Sequence, residues 1–287
     1  MNKIRIIAFV LILVTGIGLI ILLAGKKIGT PLKATMAPAF ENLGRPVDTV
    51  NRALTRVMPI NSLDEMKFGE AIALRYQKNP DLYDEGESYL NLLIPQLAKF
   101  AVKPFQYRVF LIGEQNWGPN AYALPGGIIL VTRSFLGILK SEAEIAAILA
   151  HEMGHIERSH CLNSIRFQLA AEKIDAAPLG ELADFCVNFF ISHAFSKTEE
   201  NEADDYAFQL LLNTNYDPYA MADAFSLLIK HIEAKHTSRA NVFSEYLMTH
   251  PYLDLREAKY REEARQWWEN HDGETRTRGV NPFARVP

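Results

Sequence analysis

The apolar and polar positions divide the 287-residue chain into stretches of different character. The first is an uncharged apolar run from Ile6 to Gly25, with Lys3 and Arg5 before it and Lys26 and Lys27 after it. As a helix, a run of about 20 residues is about 30 Å long, enough to cross a bilayer. A cleaved signal peptide ends in a small-x-small exit site, and no clear one follows here. Lys26 also stands where a lipoprotein signal needs Cys. Residues 1–27 therefore read as an uncleaved signal anchor. The simplest consequence places the rest of the chain outside the cytoplasm, although basic residues at both ends make the charge bias a weak guide.

Residues 28–60 carry four prolines and little periodicity, which predicts a linker with one short helical piece near 47–57. An amphipathic helix follows over 61–77, with Asn61 or Ser62 as cap and acidic residues in its first turn. "ESYLNLLIPQLAKFA" predicts a second helix, interrupted or kinked near Pro95. The aromatic and branched residues of 105–112 predict a strand, and "GIILVT" after Pro125-Gly126-Gly127 predicts another. Ser141 with Glu144 forms a capping-box pattern that opens a long apolar helix. More helix is expected over 161–174, over 181–214 in one or two pieces, over 217–235 behind Asp217 and Pro218, and in a charged segment ending near 270. Residues 273–287 read as a loose tail. The sum is a predominantly helical α+β domain at 61–272 with a small sheet just before the Ser141 helix.

That helix carries "HEMGH". His151 and His155 are four apart and lie one turn apart on one face. Two imidazoles so placed can bind one cation, and Glu152 beside them can reach a water on it. The same five-residue pattern arises by chance on metal-free helices, but the apolar "AAILA" before it predicts burial, and buried polar groups need partners such as a metal. His160, five residues past His155, is turned off the ligand face and reads as structural. The composition allows this chemistry. A 48% hydrophobic content suits one globular domain of about 200 residues with appendages. The net charge of −4, without a basic stripe or cationic tail, gives no sign of a nucleic-acid binder. Cys161 and Cys186 permit one disulfide or two buried thiols.

A catalytic zinc takes three protein ligands and keeps one position for water. The acidic cluster "SKTEENEADDYA" offers Glu199, Glu200, Glu202, Asp204 and Asp205. Apolar residues interleave with them, so part of this helix packs inward. Glu200 and Asp204 share a face, and His193 is a rival that spacing does not exclude. His250 precedes Pro251 in a turn or extended segment, and residue type alone leaves it open between a structural and a site histidine.

Four stretches carry a more specific resemblance: "NAYALPGGIILVT", "EIAAILAHEMGHIERSH", "FSKTEENEADDYA" and "THPYLDLR". Over roughly 61–265 the chain resembles a zinc metallopeptidase family. That family includes the CAAX prenyl endopeptidase, a membrane heat-shock protease, periplasmic outer-membrane quality-control proteases and the mitochondrial Oma-type protease. The resemblance implies a zincin-like domain holding one Zn²⁺ through His151, His155 and Glu200, with Asp204 supporting a histidine and Glu152 as general base. It implies that His250 can approach the zinc as an extra ligand and hold the enzyme off. It also implies that an extended substrate pairs with the strand at Gly127, Ile128, Ile129 and Leu130. Arg256 lies in the last stretch, where it could support that segment or the site. Lys197 stands where the family often has Arg, the segment between His155 and Glu200 is short, and one apparent span favours the branch with a single anchor or a periplasmic domain. The expected activity is endopeptidase action on misfolded or mislocalised envelope proteins. The alternative is a membrane-anchored chaperone or assembly factor with incidental proteolysis. Oligomeric state and natural substrate are not legible.

Overall fold

A computed structural model describes residues 62–77, 85–112, 118–165, 189–190, 194–236 and 249–284. The expected anchor, the linker with its helical piece, Cys186 and His193 lie outside the described residues. Among the described residues no helix is long and apolar enough to cross a membrane. The elements in chain order are α1 (Ser62–Gln77), α2 (Glu85–Ala98), β1 (Arg108–Ile112), β2 (Ala121–Leu124), β3 (Ile128–Thr132), α3 (Arg133–Leu136), α4 (Glu142–Glu157), α5 (Lys197–Asn213), α6 (Tyr219–His236) and α7 (Leu253–Asn270). Among the described residues the fold is α+β and predominantly helical, with one three-stranded sheet.

The sheet order is β1-β3-β2. β2 and β3 form an antiparallel hairpin, and β1 pairs in parallel with the other side of β3. The hairpin turn depends on Gly126 and Gly127, at φ 77° and 90°, where side chains are strained. Gly126 also lies against Gly69 of α1 so closely that a Cβ there would sit 2.6 Å from its Cα. β3 is thus the central strand, hydrogen-bonded along both sides. The expectation that Gly127, Ile128, Ile129 and Leu130 offer a free edge is corrected: the Pro-Gly-Gly turn folds β2 onto one side, and β1 occupies the other.

The edge of β1 is closed as well. From α2, Asn91 donates to the Val109 carbonyl (2.8 Å) and accepts from its N–H (3.1 Å), while Glu87 accepts from Leu111 N–H (3.1 Å). α2 runs through Pro95 as one helix. The proline stands in the last turn and removes a single donor, so the expected interruption does not occur.

α4 is the central helix. Every residue from Ala143 to Ile156 is buried, as expected of a helix apolar on all sides. Its capping box forms as the sequence predicts: Ser141 Oγ accepts from Glu144 N–H, and Glu144 accepts from Ser141 N–H. It packs against α5, α6, α2, β2 and β3. The expected helical stretch over 181–214 is broken at 194–196 before α5 begins. At the start of α6, Asp217 accepts from Tyr219 N–H at 3.0 Å.

Residues 273–284 correct the expectation of a loose tail. Asn281 is buried and donates to the carbonyls of Leu136 and Leu139 (2.8 and 2.7 Å). Arg278 pairs with Glu144, Asp217 and Asp223, and Phe283 joins the core. These anchors hold the segment across the N-terminal end of α4. Cys161 is a free buried thiol directed at the Ala123 carbonyl, 3.5 Å away.

Candidate metal centre

Three elements bring the site together. α4 supplies His151, Glu152 and His155; α5 supplies Glu200 and Asp204; the segment before α7 supplies His250, and α7 itself Arg256. α4 and α5 approach at Gly154, whose missing Cβ leaves room for the backbone of Ala203. α5 starts at a capping box, with Ser196 accepting from Glu199 N–H and Glu199 from Ser196 N–H. This sets Glu200 in the first turn, facing α4. Thr249 is tied from two sides: its carbonyl accepts from Phe195 N–H and its hydroxyl from Asn120. Those bonds place His250 over the cluster.

One donor atom from each of His151, His155, Glu200 and His250 lies within 4.8 Å of all the others. The separations are 3.2 Å between the two α4 imidazole Nε2 atoms and 3.3 Å from His151 Nε2 to His250 Nδ1. Glu200 Oε1 is 3.0 Å from His250 Nδ1 and 3.3 Å from His155 Nε2. A tetrahedral zinc with bonds of about 2.0–2.1 Å has ligand atoms about 3.3 Å apart. The donor set therefore fits such an ion in both chemistry and size.

The outward nitrogens of the two α4 histidines are also held. His151 Nδ1 is 2.8 Å from Asp204 Oδ1, which turns its Nε2 inward. His155 Nδ1 is 3.1 Å from His160 Nδ1, and the His155 ring stacks on Phe195 with centroids 3.8 Å apart. Arg256 ties the acids together. Its Nε and Nη2 each donate to Asp204 at 2.7 Å, and its Nη1 is 2.6 Å from Glu200 Oε2. Its guanidinium lies over the Phe225 ring. Lys197, in place of the more usual Arg, sits over the ring of Tyr252, which starts α7 at φ 66°.

Electrostatics separate the two glutamates. Burial disfavours charge on both. At Glu200 the adjacent Arg256 and His250 overcome it and hold the carboxyl well below the usual range; Arg256 does the same for Asp204. At Glu152 burial wins and the pKa is raised. Neither Glu152 oxygen has a hydrogen-bond partner among the described residues, and His250 Nε2 is 3.8 Å from its Oε1. A buried carboxylate without hydrogen bonds is costly, so this atom pair fits a site built for a further occupant. Burial pushes His155 well down, favouring the neutral form that ligates metal. Burial also opposes charge on His250, but Glu200 and Glu152 outweigh it and raise its pKa.

A family model described as Peptidase family M48 matches residues 85–264, more than half of the chain. The chain belongs to peptidase family M48. It is similar to the mitochondrial metalloendopeptidase OMA1 of Schizosaccharomyces pombe, 36% identical over 110 residues covering 36% of this chain and 32% of that protein. It is 27% identical to the metalloprotease LoiP of Escherichia coli over 150 residues, 47% of this chain and 56% of LoiP. With the beta-barrel assembly-enhancing protease of Escherichia coli it shares 26% identity over 255 residues, 80% of this chain and 50% of that protein. The matched stretches thus span between a third and about half of these relatives' lengths. Zinc is the cofactor of M48 metalloproteases, and the His-His-Glu-His group is a donor set of that kind.

Of the residues singled out from the sequence, His151, His155, Glu200 and His250 come together, with Glu152 and Asp204 beside them; Glu199 caps α5, Glu202 meets His160, Asp205 pairs with Lys259, the β3 residues lie within the sheet, and His193 lies outside the described residues. Residue spacing gave Arg256 no firm place and turned His160 off the ligand face as a structural residue, whereas its Nδ1 lies 3.1 Å from that of His155. Arg256 meets the site through packing between residues far apart in the chain, and His160 through the break in the helix just after α4.

Proposed function

We propose that this M48 protein is a zinc-dependent endopeptidase. The observation that carries the reading is the four-donor cluster at tetrahedral spacing, with an unpartnered buried carboxylate beside it. His151, His155 and Glu200 are the proposed ligands, and Asp204 orients His151 from behind. When bound, zinc supplies a Lewis acid that polarises a peptide carbonyl and makes water acidic enough to attack near neutral pH. Glu152 accepts the proton of the attacking water on a carboxylate oxygen and delivers it to the departing amine. Its raised pKa suits a group that must both take and return a proton. Arg256 keeps Glu200 ionised and in place. His250 stands at the fourth corner, which water and substrate carbonyl both need, so it is the proposed gate.

An extended substrate is proposed to add to β2 rather than β3. β3 is paired on both sides and α2 side chains occupy the outer edge of β1, which leaves β2, the strand packed against α4, as the edge beside the histidines. Pairing of this kind reads mainly the substrate backbone. The peptidase domain is proposed to span 61–284. Residues 1–27 are proposed to anchor it, with the domain outside the cytoplasm. A role in quality control of envelope proteins is proposed with it; among the relatives, the beta-barrel assembly-enhancing protease bears a name in keeping with that.

The test uses the full chain. Elemental analysis should find one zinc per chain, and Glu152→Gln should keep the zinc while casein cleavage falls by at least about 100-fold. Native protein without zinc, or undiminished cleavage by zinc-loaded Glu152→Gln, would sink the proposal. Undiminished function in cells despite lost cleavage would favour the chaperone alternative.

A further inference from the structure

On an unbroken helix His160 would point about 140° away from His155. The helix is broken. α4 ends at Glu157, Arg158 caps it, and Ser159 takes a left-handed conformation at φ 62°. A second helical run begins at 160, with Asn163 N–H donating to the Ser159 carbonyl. That one left-handed residue returns the His160 ring to the back of His155. The two Nδ1 atoms are 3.1 Å apart, and His160 Nε2 is 3.0 Å from Glu202 Oε2 on α5. His160 is buried, whereas 52% of the Glu202 side chain is exposed.

Proton accounting allows one arrangement. Two facing nitrogens form a hydrogen bond only when one carries the proton and the other a lone pair. His155 Nε2 lies among the four inward donor atoms, where a ligand must offer a lone pair. A neutral imidazole has one N–H, so the His155 proton is on Nδ1. His160 Nδ1 must then accept it, the His160 proton sits on Nε2, and Glu202 accepts that one.

We infer that His160 is a positioning residue for His155, holding its ring and tautomer through a relay that ends on Glu202. This rests on the zinc reading above. The two α4 histidines are then supported differently. His151 is backed directly by the carboxylate of Asp204. His155 is backed by a second imidazole whose own orientation comes from a carboxylate at the surface.

The experiment measures zinc affinity of the full chain at fixed pH by competition with a chromogenic chelator. The variants are His160→Phe, His160→Gln and Glu202→Ala, with melting of the metal-free protein recorded in parallel. Losing a partner of this kind costs about 10- to 100-fold in metal affinity. His160→Phe should show that loss, Glu202→Ala a smaller one, and His160→Gln should recover most of it because its amide oxygen can accept from His155. Nitrogen NMR of the zinc-loaded wild type should show His155 protonated on Nδ1. Affinity of His160→Phe within about twofold of wild type, with only the melting temperature lowered, would overturn the inference and leave a packing role. Equal losses for Phe and Gln would overturn it too. Should His160→Phe not fold, Glu202→Ala probes the same relay from a half-exposed position, and wild-type affinity there counts against it. Wild-type protein that binds no zinc would instead remove the metal-site reading beneath it.

Discussion

Substituting Gly154 by Ala tests how the site is held together. Gly154 lies between the glutamate and the second histidine of α4, and it faces Ala203, which sits between Glu200 and Asp204 on α5. A Cβ on Gly154 would lie 2.6 Å from the Ala203 carbonyl oxygen and 2.8 Å from its Cα. The closer approach is roughly 0.8 Å short of the 3.4 Å where ordinary contact begins. The atoms met are backbone, so no rotamer change relieves the clash and the helices must part. Overpacking of this kind costs about 1–3 kcal/mol. Alanine returns about 1 kcal/mol through helix propensity, so melting alone is a blunt readout. The site is the sensitive one. A parting of that size would stretch the 3.3 Å separation of His155 Nε2 and Glu200 Oε1, whereas metal–ligand distances tolerate about 0.2 Å. Gly154→Ala should therefore bind zinc far more weakly and lose at least about 100-fold in kcat/KM, with a net stability loss of about 0–2 kcal/mol. Gly137→Ala is the control. Its Cβ would meet nothing closer than 3.5 Å, so stability should change by no more than about 0.5 kcal/mol. Chelator competition, steady-state kinetics and thermal melting on both variants check this. Wild-type zinc affinity and kcat/KM in Gly154→Ala would refute the argument that the glycine sets the helix spacing.

Two further predictions concern the glutamate and the gate. Because burial raises the Glu152 pKa above its ordinary 4.5, the stability linked to this proton is fully present below about pH 4.5 and lost as pH rises through the folded value. Without metal, the wild type therefore loses with rising pH a stability that an amide at this position keeps, a difference of about 1–3 kcal/mol for a buried charged group. Glu152→Gln should be more stable than wild type by that order in denaturant titrations at pH 7.5 with chelator present, and the advantage should vanish near pH 4; equal stabilities at both pH values would contradict it. His250→Ala should raise casein cleavage several-fold while keeping the zinc, as emptying the fourth corner requires; unchanged cleavage would remove the gate.

Much of the local structure was legible. The Ser141–Glu144 box and the unbroken apolar flank predict a buried α4, and the four-residue spacing of His151 and His155 sets their shared face. Asp217 with Pro218 marks the start of α6, and the acidic cluster points to the helix that carries Glu200. Tail packing was not legible, because the partners of Asn281 and Arg278 lie more than sixty positions away in most cases. Strand order was not legible either. "GIILVT" predicts a strand, but only the fold makes it the central one.

By itself the sequence determined what short-range geometry controls: which residues form helices, where they are capped, and that two imidazoles and a glutamate share one turn. The tertiary structure alone decided which groups meet across helices. It chose Glu200 Oε1 and His250 Nδ1 as neighbours of the histidines, tied Arg256 to both acids, and brought His160 back through one left-handed serine. Helical periodicity fixes angles within a turn or two, whereas contact between separate helices depends on side-chain volumes such as the bare Gly154. No local spacing records those.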